Sequence, residues 1–341
     1  MTRKHWVAAI AVTLAGVVAP LHAAAILPAI QGTVSQLGSG GVSGVTLNLY
    51  EDDGDGIFNA GDTMVGSAAV SAGDGSYMFE GLNGTASYFV ERPAQTVGSI
   101  FHSAQVSSLI TPGAPNLIID NFDNNQGVTA DTYTPIATST LSDPLAVVLG
   151  VERDMYVRLV SGVGQVGLRS NAFGVAVLQY DTTSGVVGHG IITWDGVDMS
   201  ASPTPSLGLG NLDLTQGGLN EGIVFNLGID ATGAGDQLHF RIFGDDASVY
   251  SEGIVTIPIT DGTASGTAYL PFSSLVGPVT PDSVNAIQLI MGDGAKSVDA
   301  QFDQIGALGP KTQNFELIPE PASLTLALSA LLGLLGLRRK A

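Results

Sequence analysis

The densest group of potential metal ligands in the sequence is an acidic loop at residues 51–62, EDDGDGIFNAGD. Its spacing fits a calcium-binding loop, in which positions 1, 3, 5, 7, 9 and 12 supply oxygen ligands and position 6 is glycine. Position 1 is usually Asp and position 12 is usually Glu, so the loop predicts a weak site. The predicted structural Ca²⁺ ligands are Glu51, Asp53, Asp55, the carbonyl of Ile57, Asn59 and Asp62, with Gly56 at the sharp turn.

The alternative is a solvated acidic hairpin loop without a metal. Carboxylates this crowded repel one another unless a cation or salt screens them, which favours calcium. Asp120, Asp123 and Asp303 are candidates for a second structural calcium site, although solvated carboxylates at strand edges would give the same pattern.

The charge balance limits the partners. The chain has 12 Lys and Arg against 31 Asp and Glu, and only seven of the basic residues lie between the two termini. Phosphate binding needs clustered cations, so nucleic acid is not an expected partner, whereas divalent cations are. Cysteine is absent, which rules out disulfides, thiolate nucleophiles and cysteine zinc sites.

No spacing of residues predicts an enzyme. The acidic pairs Asp245-Asp246 and Glu221 with Asp230 do not identify a glycosidase acid and base, and there is no G-x-S-x-G motif. Trp194, next to Asp195, could stack on a sugar ring, but the preceding isoleucines favour a tryptophan in the core.

The elements that position these residues are predicted to be strands. Glycine is abundant, apolar and polar residues alternate over short runs, and helical periodicity is almost absent. We predict an all-β fold with a transthyretin/Ig-like sandwich at 26–111, a Pro- and Gly-containing linker at 112–116, and a jelly-roll-like sandwich at 117–310. In the second sandwich, residues 118–123 and 298–305 are predicted to pair as terminal strands.

The two ends of the chain carry targeting patterns. Residues 1–25 combine Arg3 and Lys4 with an apolar stretch and a run of alanines, as in a secretory signal peptide that signal peptidase would remove. An uncleaved membrane anchor is the alternative.

Residues 311–341 form the predicted tail, with an apolar helix at 322–337. Sixteen residues reach about 24 Å, short of the roughly 30 Å hydrocarbon layer, which favours transient inner-membrane insertion over an ordinary tail anchor. The flanking polar motifs are Pro319, Glu320 and Pro321 before the helix, and Arg338, Arg339 and Lys340 after it.

This tail resembles the PEP-CTERM sorting domain of exported proteins of Gram-negative bacteria. The resemblance implies an exosortase as the sorting partner and a link to exopolysaccharide. Residues 44–50, the acidic loop and residues 74–82 resemble the SdrD B-like/Cna-B-like modules of bacterial surface proteins. The strand pattern of the second sandwich is similar to galactose-binding-like domains and carbohydrate-binding modules.

The sequence therefore predicts an exported, non-enzymatic protein of the cell envelope or extracellular matrix, sorted by its tail and stabilised by calcium. The alternative is a carbohydrate-binding module that docks exopolysaccharide through the second sandwich.

Overall fold

The computed structural model describes residues 27–36, 40–144, 147–171, 174–227, 237–256, 266–292 and 299–318. The predicted signal peptide and the tail from Pro319 onward, with both sorting motifs and the apolar helix, lie outside the described residues. Within the described part of the chain, no helix is long and apolar enough to cross a membrane. The described residues contain two short 3₁₀ helices, Leu149–Val151 and Phe272–Ser274, and their other regular elements are strands. The prediction of an all-β fold is confirmed.

The strands fall into two groups, each around its own hydrophobic cluster. The first group contains β1 (Ile30–Gln36), β2 (Thr46–Glu51), β3 (Thr63–Met64), β4 (Ala69–Val70), β5 (Ser76–Phe79), β6 (Tyr88–Arg92), β7 (Gln95–Val97), β8 (Ile100–His102) and β9 (Gln105–Val106). The second group contains β10 (Leu117–Asp120), β11 (Gln126–Asp131), β12 (Ile136–Ser142), β13 (Glu152–Ser161), β14 (Gln165–Ser170), β15 (Leu178–Thr182), β16 (Val187–Trp194), β17 (Gly222–Leu227), β18 (Gln237–Phe243), β19 (Tyr250–Thr256), β20 (Gly266–Pro271), β21 (Ala286–Met291) and β22 (Asp299–Leu308).

In the first group, β2 carries the acidic loop at its end. It pairs antiparallel with β3, β4 and β6, and β6 in turn pairs with β9. The predicted alternation is confirmed, because Val45, Leu47 and Leu49 are buried in the first cluster. A strand with one face in a core and the other toward solvent requires this period of two.

The first cluster is completed by residues from the far end of the chain. The strands β23 (Lys311–Thr312) and β24 (Phe315–Leu317) run parallel to β1, which also pairs antiparallel with β5. Phe315 and Leu317 are buried among the residues of the first cluster, and Glu316 between them is exposed. Residues 311–341 were predicted to form the sorting tail, but residues 311–317 lie against the first group of strands.

The second group forms two packed sheets. The seven-stranded sheet has the order β11-β14-β15-β22-β17-β20, with β10 also beside β22, and the six-stranded sheet has the order β12-β13-β16-β21-β18-β19. The inner faces of both sheets supply the second hydrophobic cluster, which includes Trp194, Phe225, Phe240 and Phe302. β10 and β22 pair antiparallel, so the predicted pairing of the terminal strands is confirmed.

A buried ion pair joins the two sheets. Arg153 of β13 binds both carboxylate oxygens of Asp120 at 2.9 and 3.0 Å, and both side chains are completely buried. Arg153 also donates to Gln126 at 2.8 Å and to the Ser170 hydroxyl at 2.7 Å. Asp120 accepts a further bond from the indole N–H of Trp194 at 2.9 Å. A buried ion pair is tolerated only when its remaining donors and acceptors are satisfied, and this network meets that condition.

Replacing Phe315 should loosen the first group of strands. Phe315→Ala removes a buried aromatic ring, and the expected loss is about 3–5 kcal/mol. Hydrogen exchange of the peptide spanning 30–36 should become faster, because β24 pairs with β1. Glu316→Ala, on the exposed side of the same strand, is the control and should leave exchange unchanged. Equal protection in the two variants would show that β24 does not stabilise β1.

Breaking the ion pair should be among the most damaging single substitutions in the second group. Arg153→Met leaves Asp120 charged and buried without a partner, which typically costs about 3–5 kcal/mol. Arg158→Met, at an exposed position of the same strand, should stay within about 0.5 kcal/mol of the parent. Urea denaturation of the full chain measures both, and similar midpoints for the two variants would contradict the assigned role of Arg153.

Candidate functional site

The acidic loop connects β2 to β3 and gathers part of the predicted calcium set. The carboxylates of Asp52, Asp53 and Asp55 each place one oxygen within 4.8 Å of the others. Glu51, the last residue of β2, is not among the three residues of this group. Asp52, which the loop spacing did not select, takes its place.

The other predicted ligands hold the loop together. Asp62 accepts the backbone N–H of Asp53 at 3.3 Å and that of Asn59 at 2.8 Å. The side-chain amide of Asn59 donates to Asp55 at 2.8 Å and to the carbonyl of Ile57 at 2.9 Å. These bonds fold the loop so that three carboxylates approach one another.

Two glycines allow this approach. Gly56 has φ of +71°, a conformation that other residues rarely adopt, so the predicted sharp turn at this position is confirmed. A Cβ on Gly61 would lie 2.2 Å from a carboxylate oxygen of Asp53. The residues present therefore fit an oxygen-liganded cation held by Asp52, Asp53 and Asp55, which is the donor type that calcium takes.

The second predicted calcium set does not come together as a metal site. Both oxygens of Asp120 are bound by Arg153, so a guanidinium supplies the positive charge there. Asp123 is exposed and accepts from the side chain of Asn121. Asp303 lines a surface cleft of about 410 Å³ beside the linker residues Thr111 and Gly113.

Trp194 belongs to the core. Its side chain is completely buried, and its indole N–H is bonded to Asp120. The interpretation as a core tryptophan is confirmed, and stacking of Trp194 on a sugar is excluded because no ring could reach it.

The outer face of the six-stranded sheet carries a polar row that sequence reasoning did not detect. Residues directly opposite on neighbouring antiparallel strands project to the same face, so the strand registers identify the row. At a strand spacing of about 4.8 Å, six strands extend it over about 24 Å. The row comprises Thr140, Asp154, Thr193, Gln288, Arg241 and Glu252, one residue from each strand in sheet order.

Side-chain bonds fix parts of this row. Glu252 accepts from Arg241 Nε at 2.8 Å and contacts His239 Nδ1 at 3.0 Å. The Arg241 guanidinium lies 4.5 Å from the centre of the Tyr250 ring. Gln288 donates to the Thr193 hydroxyl at 3.1 Å. The exposed end of the row thus offers a positioned guanidinium, a carboxylate and an aromatic ring.

The next row on the same face is largely apolar and aromatic. It comprises Thr138, Tyr156, Ile191, Ile290, His239 and Ile254 in sheet order. Tyr156 and His239 are partly exposed and Ile254 is 49% exposed. The face therefore presents a polar row directly beside an apolar one.

A segment at 196–207 covers part of the polar row. Gln288 donates to the carbonyl of Pro203 at 3.1 Å, and the backbone N–H of Ser206 donates to Asp195 at 2.6 Å. Asp154, Thr193 and Gln288 are each only 2% exposed beneath this segment. Arg241 and Glu252 lie farther along the row and remain partly exposed.

Four acids meet where the same segment leaves the sheet. Glu152 and Asp154 project from β13, while Asp195 and Asp198 follow the end of β16. Glu152, Asp154 and Asp198 each place a carboxylate oxygen within 4.8 Å of the others. Glu152 is 0%, Asp154 2% and Asp195 1% exposed, while Asp198 is exposed. In the sequence, the two-residue spacing of Glu152 and Asp154 indicates that both acids lie on one face of a strand. It does not indicate that Asp195 and Asp198 lie nearby.

The electrostatics of this cluster are unfavourable for four negative charges. Burial raises the pKa of Asp154 to about 7, the hydroxyl of Thr140 opposes the shift, and the neighbouring carboxylates of Asp195, Glu152 and Asp198 add to it. Burial likewise raises the pKa of Asp195 to about 6 against the hydrogen bond from Ser206. Near neutral pH the cluster keeps part of its charge at an energetic cost.

The acidic pairs considered for catalysis have structural contacts. Asp245 accepts from the side chain of Asn285 at 2.9 Å, and Asp246 accepts the backbone N–H of Ser248 at 2.8 Å. Both carboxylates thereby organise the connection between β18 and β19. Asp230, proposed beside Glu221, lies outside the described residues, so that pair stays untested.

Comparison with known proteins gives no family. No family model matches the chain, and no curated protein matches it. Among solved structures, the chain is similar to the family 11 carbohydrate-binding module of the cellulase Lic26A-Cel5E of Clostridium thermocellum, with 11% identity, a TM-score of 0.29, and coverage of 57% of this chain and 95% of that one. A carbohydrate-binding module of the β-sandwich superfamily has 12% identity, a TM-score of 0.28, and coverage of 78% and 86%. The major pilin subunit BcpA of Bacillus cereus has 12% identity, a TM-score of 0.16, and coverage of 83% and 69%.

Proposed function

We propose that this protein is a non-enzymatic carbohydrate-binding protein of the cell envelope or extracellular matrix, with the outer face of its six-stranded sheet as the glycan-binding surface. The observation that carries this proposal is the polar row across all six strands beside a row containing Tyr156 and His239. A sugar ring has hydroxyls around its edge and apolar C–H groups on its faces. Adjacent polar and apolar rows suit both parts of such a ligand.

The exposed end of the face has the chemistry that hydroxyl groups require. Arg241 has several N–H donors in a fixed plane, and Glu252 is an acceptor that already orients the guanidinium. The 28% exposure of Arg241 and the 24% exposure of Glu252 leave both groups accessible to a ligand. Tyr250 adds aromatic surface beside Arg241 at this end, and Tyr156 adds it on β13, farther across the same face. The part of this face beyond the segment at 196–207 is an open surface, which suits an extended polysaccharide better than a small molecule enclosed in a pocket.

Calcium binding by the acidic loop is a second proposal. The approach of Asp52, Asp53 and Asp55 within 4.8 Å favours it over a solvated hairpin. A weak site of about 10⁻⁴–10⁻³ M would fill at the millimolar calcium concentrations found outside cells. At ten times the dissociation constant, binding only the folded form would add about 1.4 kcal/mol of stability.

Export and sorting by the tail complete the proposal. Signal peptidase and an exosortase are the proposed processing partners, with Pro319–Pro321 and Arg338–Lys340 as the recognised motifs. They rest on the sequence patterns alone, since these residues lie outside the described ones.

Glycan binding should depend on the exposed end of the polar row. Calorimetry or affinity electrophoresis with soluble mixed-linkage β-glucan, xylan and mannan should give binding to at least one polymer. Arg241→Ala removes charged hydrogen bonds worth about 1.5–3 kcal/mol, so affinity should fall about 10- to 150-fold. Arg169→Ala, an exposed arginine on the outer face of the seven-stranded sheet, is the control and should bind as the parent does. Equal loss in both variants would place the surface elsewhere, and no binding to any of the three polymers would count against the proposal.

Calcium should slow hydrogen exchange in the acidic loop. In millimolar calcium, the peptide spanning 51–64 is expected to exchange more slowly than in chelator, because the cation joins three carboxylates of the loop. Asp53→Asn with Asp55→Asn should abolish the difference, while Glu80→Gln, an exposed acid of the same group of strands, should retain it. An exchange rate in the parent that does not respond to calcium would refute the loop site.

A further inference from the structure

We propose that Glu152, Asp154 and Asp198 form a second cation site, of the calcium class, which binds the segment at 196–207 to the outer face of the six-stranded sheet. This site is separate from the acidic loop at 51–62. It does not rest on the proposed glycan function, since its test contains no carbohydrate.

The first argument is the number of buried oxygens that lack a partner. The Thr140 hydroxyl lies opposite Asp154 and lowers its pKa, but it makes no well-formed hydrogen bond to either carboxylate oxygen, and one oxygen of Glu152 and one of Asp195 also lack a partner. All three residues are almost completely buried. A buried polar atom without a partner is costly, and a buried charge without one costs more. Asp154 and Glu152 also belong to the cluster of three carboxylates whose oxygens lie within 4.8 Å of one another. One cation in this cluster could therefore bind the oxygens of both residues that lack partners.

The second argument is charge. The charged neighbours that shift the pKa of Asp154 are Asp195, Glu152 and Asp198, all of them acids. The buried negative charge of Asp120 is neutralised by Arg153, which is on the same strand as Asp154 but projects to the opposite face of the sheet. Among the described residues, no basic side chain takes that role on the outer face, which leaves a proton or a metal ion to neutralise Asp154.

The third argument is access and coordination. Asp198 is exposed and gives the site an opening to solvent. One oxygen of Asp198 accepts the backbone N–H of Ser200 at 2.8 Å. One oxygen of Glu152 accepts the backbone N–H groups of Asp198 and Met199 at 2.8 and 2.9 Å, which leaves the second for a cation. The group is all carboxylate, without His or Cys, and hard oxygen donors select calcium over zinc or copper.

The consequence for the protein is a cation-dependent segment beside the polar row. The ligands come from β13 and from the chain after β16, so an ion would join the segment to the sheet. The same segment contacts Gln288 of the polar row through the carbonyl of Pro203. Removing the ion should therefore loosen the boundary of the outer face.

The binding test uses calorimetric titration of the full chain with calcium chloride. The parent for this test carries Asp53→Asn and Asp55→Asn, which removes the acidic-loop site. We expect one calcium to bind per chain, at least tenfold more weakly after Asp154→Asn, and unchanged after Asp181→Asn, a half-buried acid on the other sheet. Absence of binding in the parent, or equal affinity in the Asp154→Asn variant, would overturn the proposal.

Thermal melts in chelator and in calcium separate a metal site from a simple protonated carboxyl. In chelator, Asp154→Asn should unfold at the same or a higher temperature than the parent, because it removes a buried charge that lacks a partner. In calcium, the same parent with Asp53→Asn and Asp55→Asn should gain stability, and its Asp154→Asn variant should not. Asp198→Asn, at an exposed position that the core does not need, should also lose the calcium response. An equal calcium response in the parent and both variants would show that calcium does not act through this cluster and would overturn the proposal.

Discussion

The second group of strands depends on the neutralisation of buried acids, and basic side chains such as Arg153 that can do this are scarce. One guanidinium satisfies Asp120 completely and bonds to Gln126 and Ser170, which joins the two sheets. Only seven basic residues lie in the chain between its termini, against 30 acids. Breaking a pair of this kind is costly because the remaining charge stays buried. The protein can therefore bury few acids in this way, and the others need solvent, protons or external cations.

The two faces of the six-stranded sheet illustrate this limit. On its inner face, Arg153 and Trp194 surround Asp120 with donors. On its outer face, Glu152 and Asp154 have no basic partner in the described part of the chain, and the segment at 196–207 closes over them. The open remainder of that face keeps its charges in solvent contact, where Arg241 and Glu252 pair at modest cost. The proposed cation site and the proposed glycan surface are thus two ends of one polar row.

The first group of strands has a different constraint, which is the small size of its core. Eleven buried residues make up the first cluster, and two of them, Phe315 and Leu317, come from the far end of the chain. The resulting parallel pairing of β24 with β1 connects the end of the described chain to the first strand of this group. If the proposed tail is inserted in a membrane or cut by an exosortase, the processed segment begins directly after a strand of this core.

The all-β fold, the strand carrying Val45, Leu47 and Leu49, the pairing of β10 with β22 and the core position of Trp194 could be predicted from the sequence. They follow from local periodicity and from burial, which neighbouring residues along the chain reveal. Glycine spacing likewise predicted the turn at Gly56. Only the tertiary structure placed Asp52, and not Glu51, with Asp53 and Asp55 in the acidic loop. It alone paired Asp120 with Arg153, aligned the polar row, and brought Glu152, Asp154 and Asp198 together. Each of these depends on strand register and sheet order between distant segments, because a shift of one residue moves every side chain to the opposite face, and no local pattern specifies it.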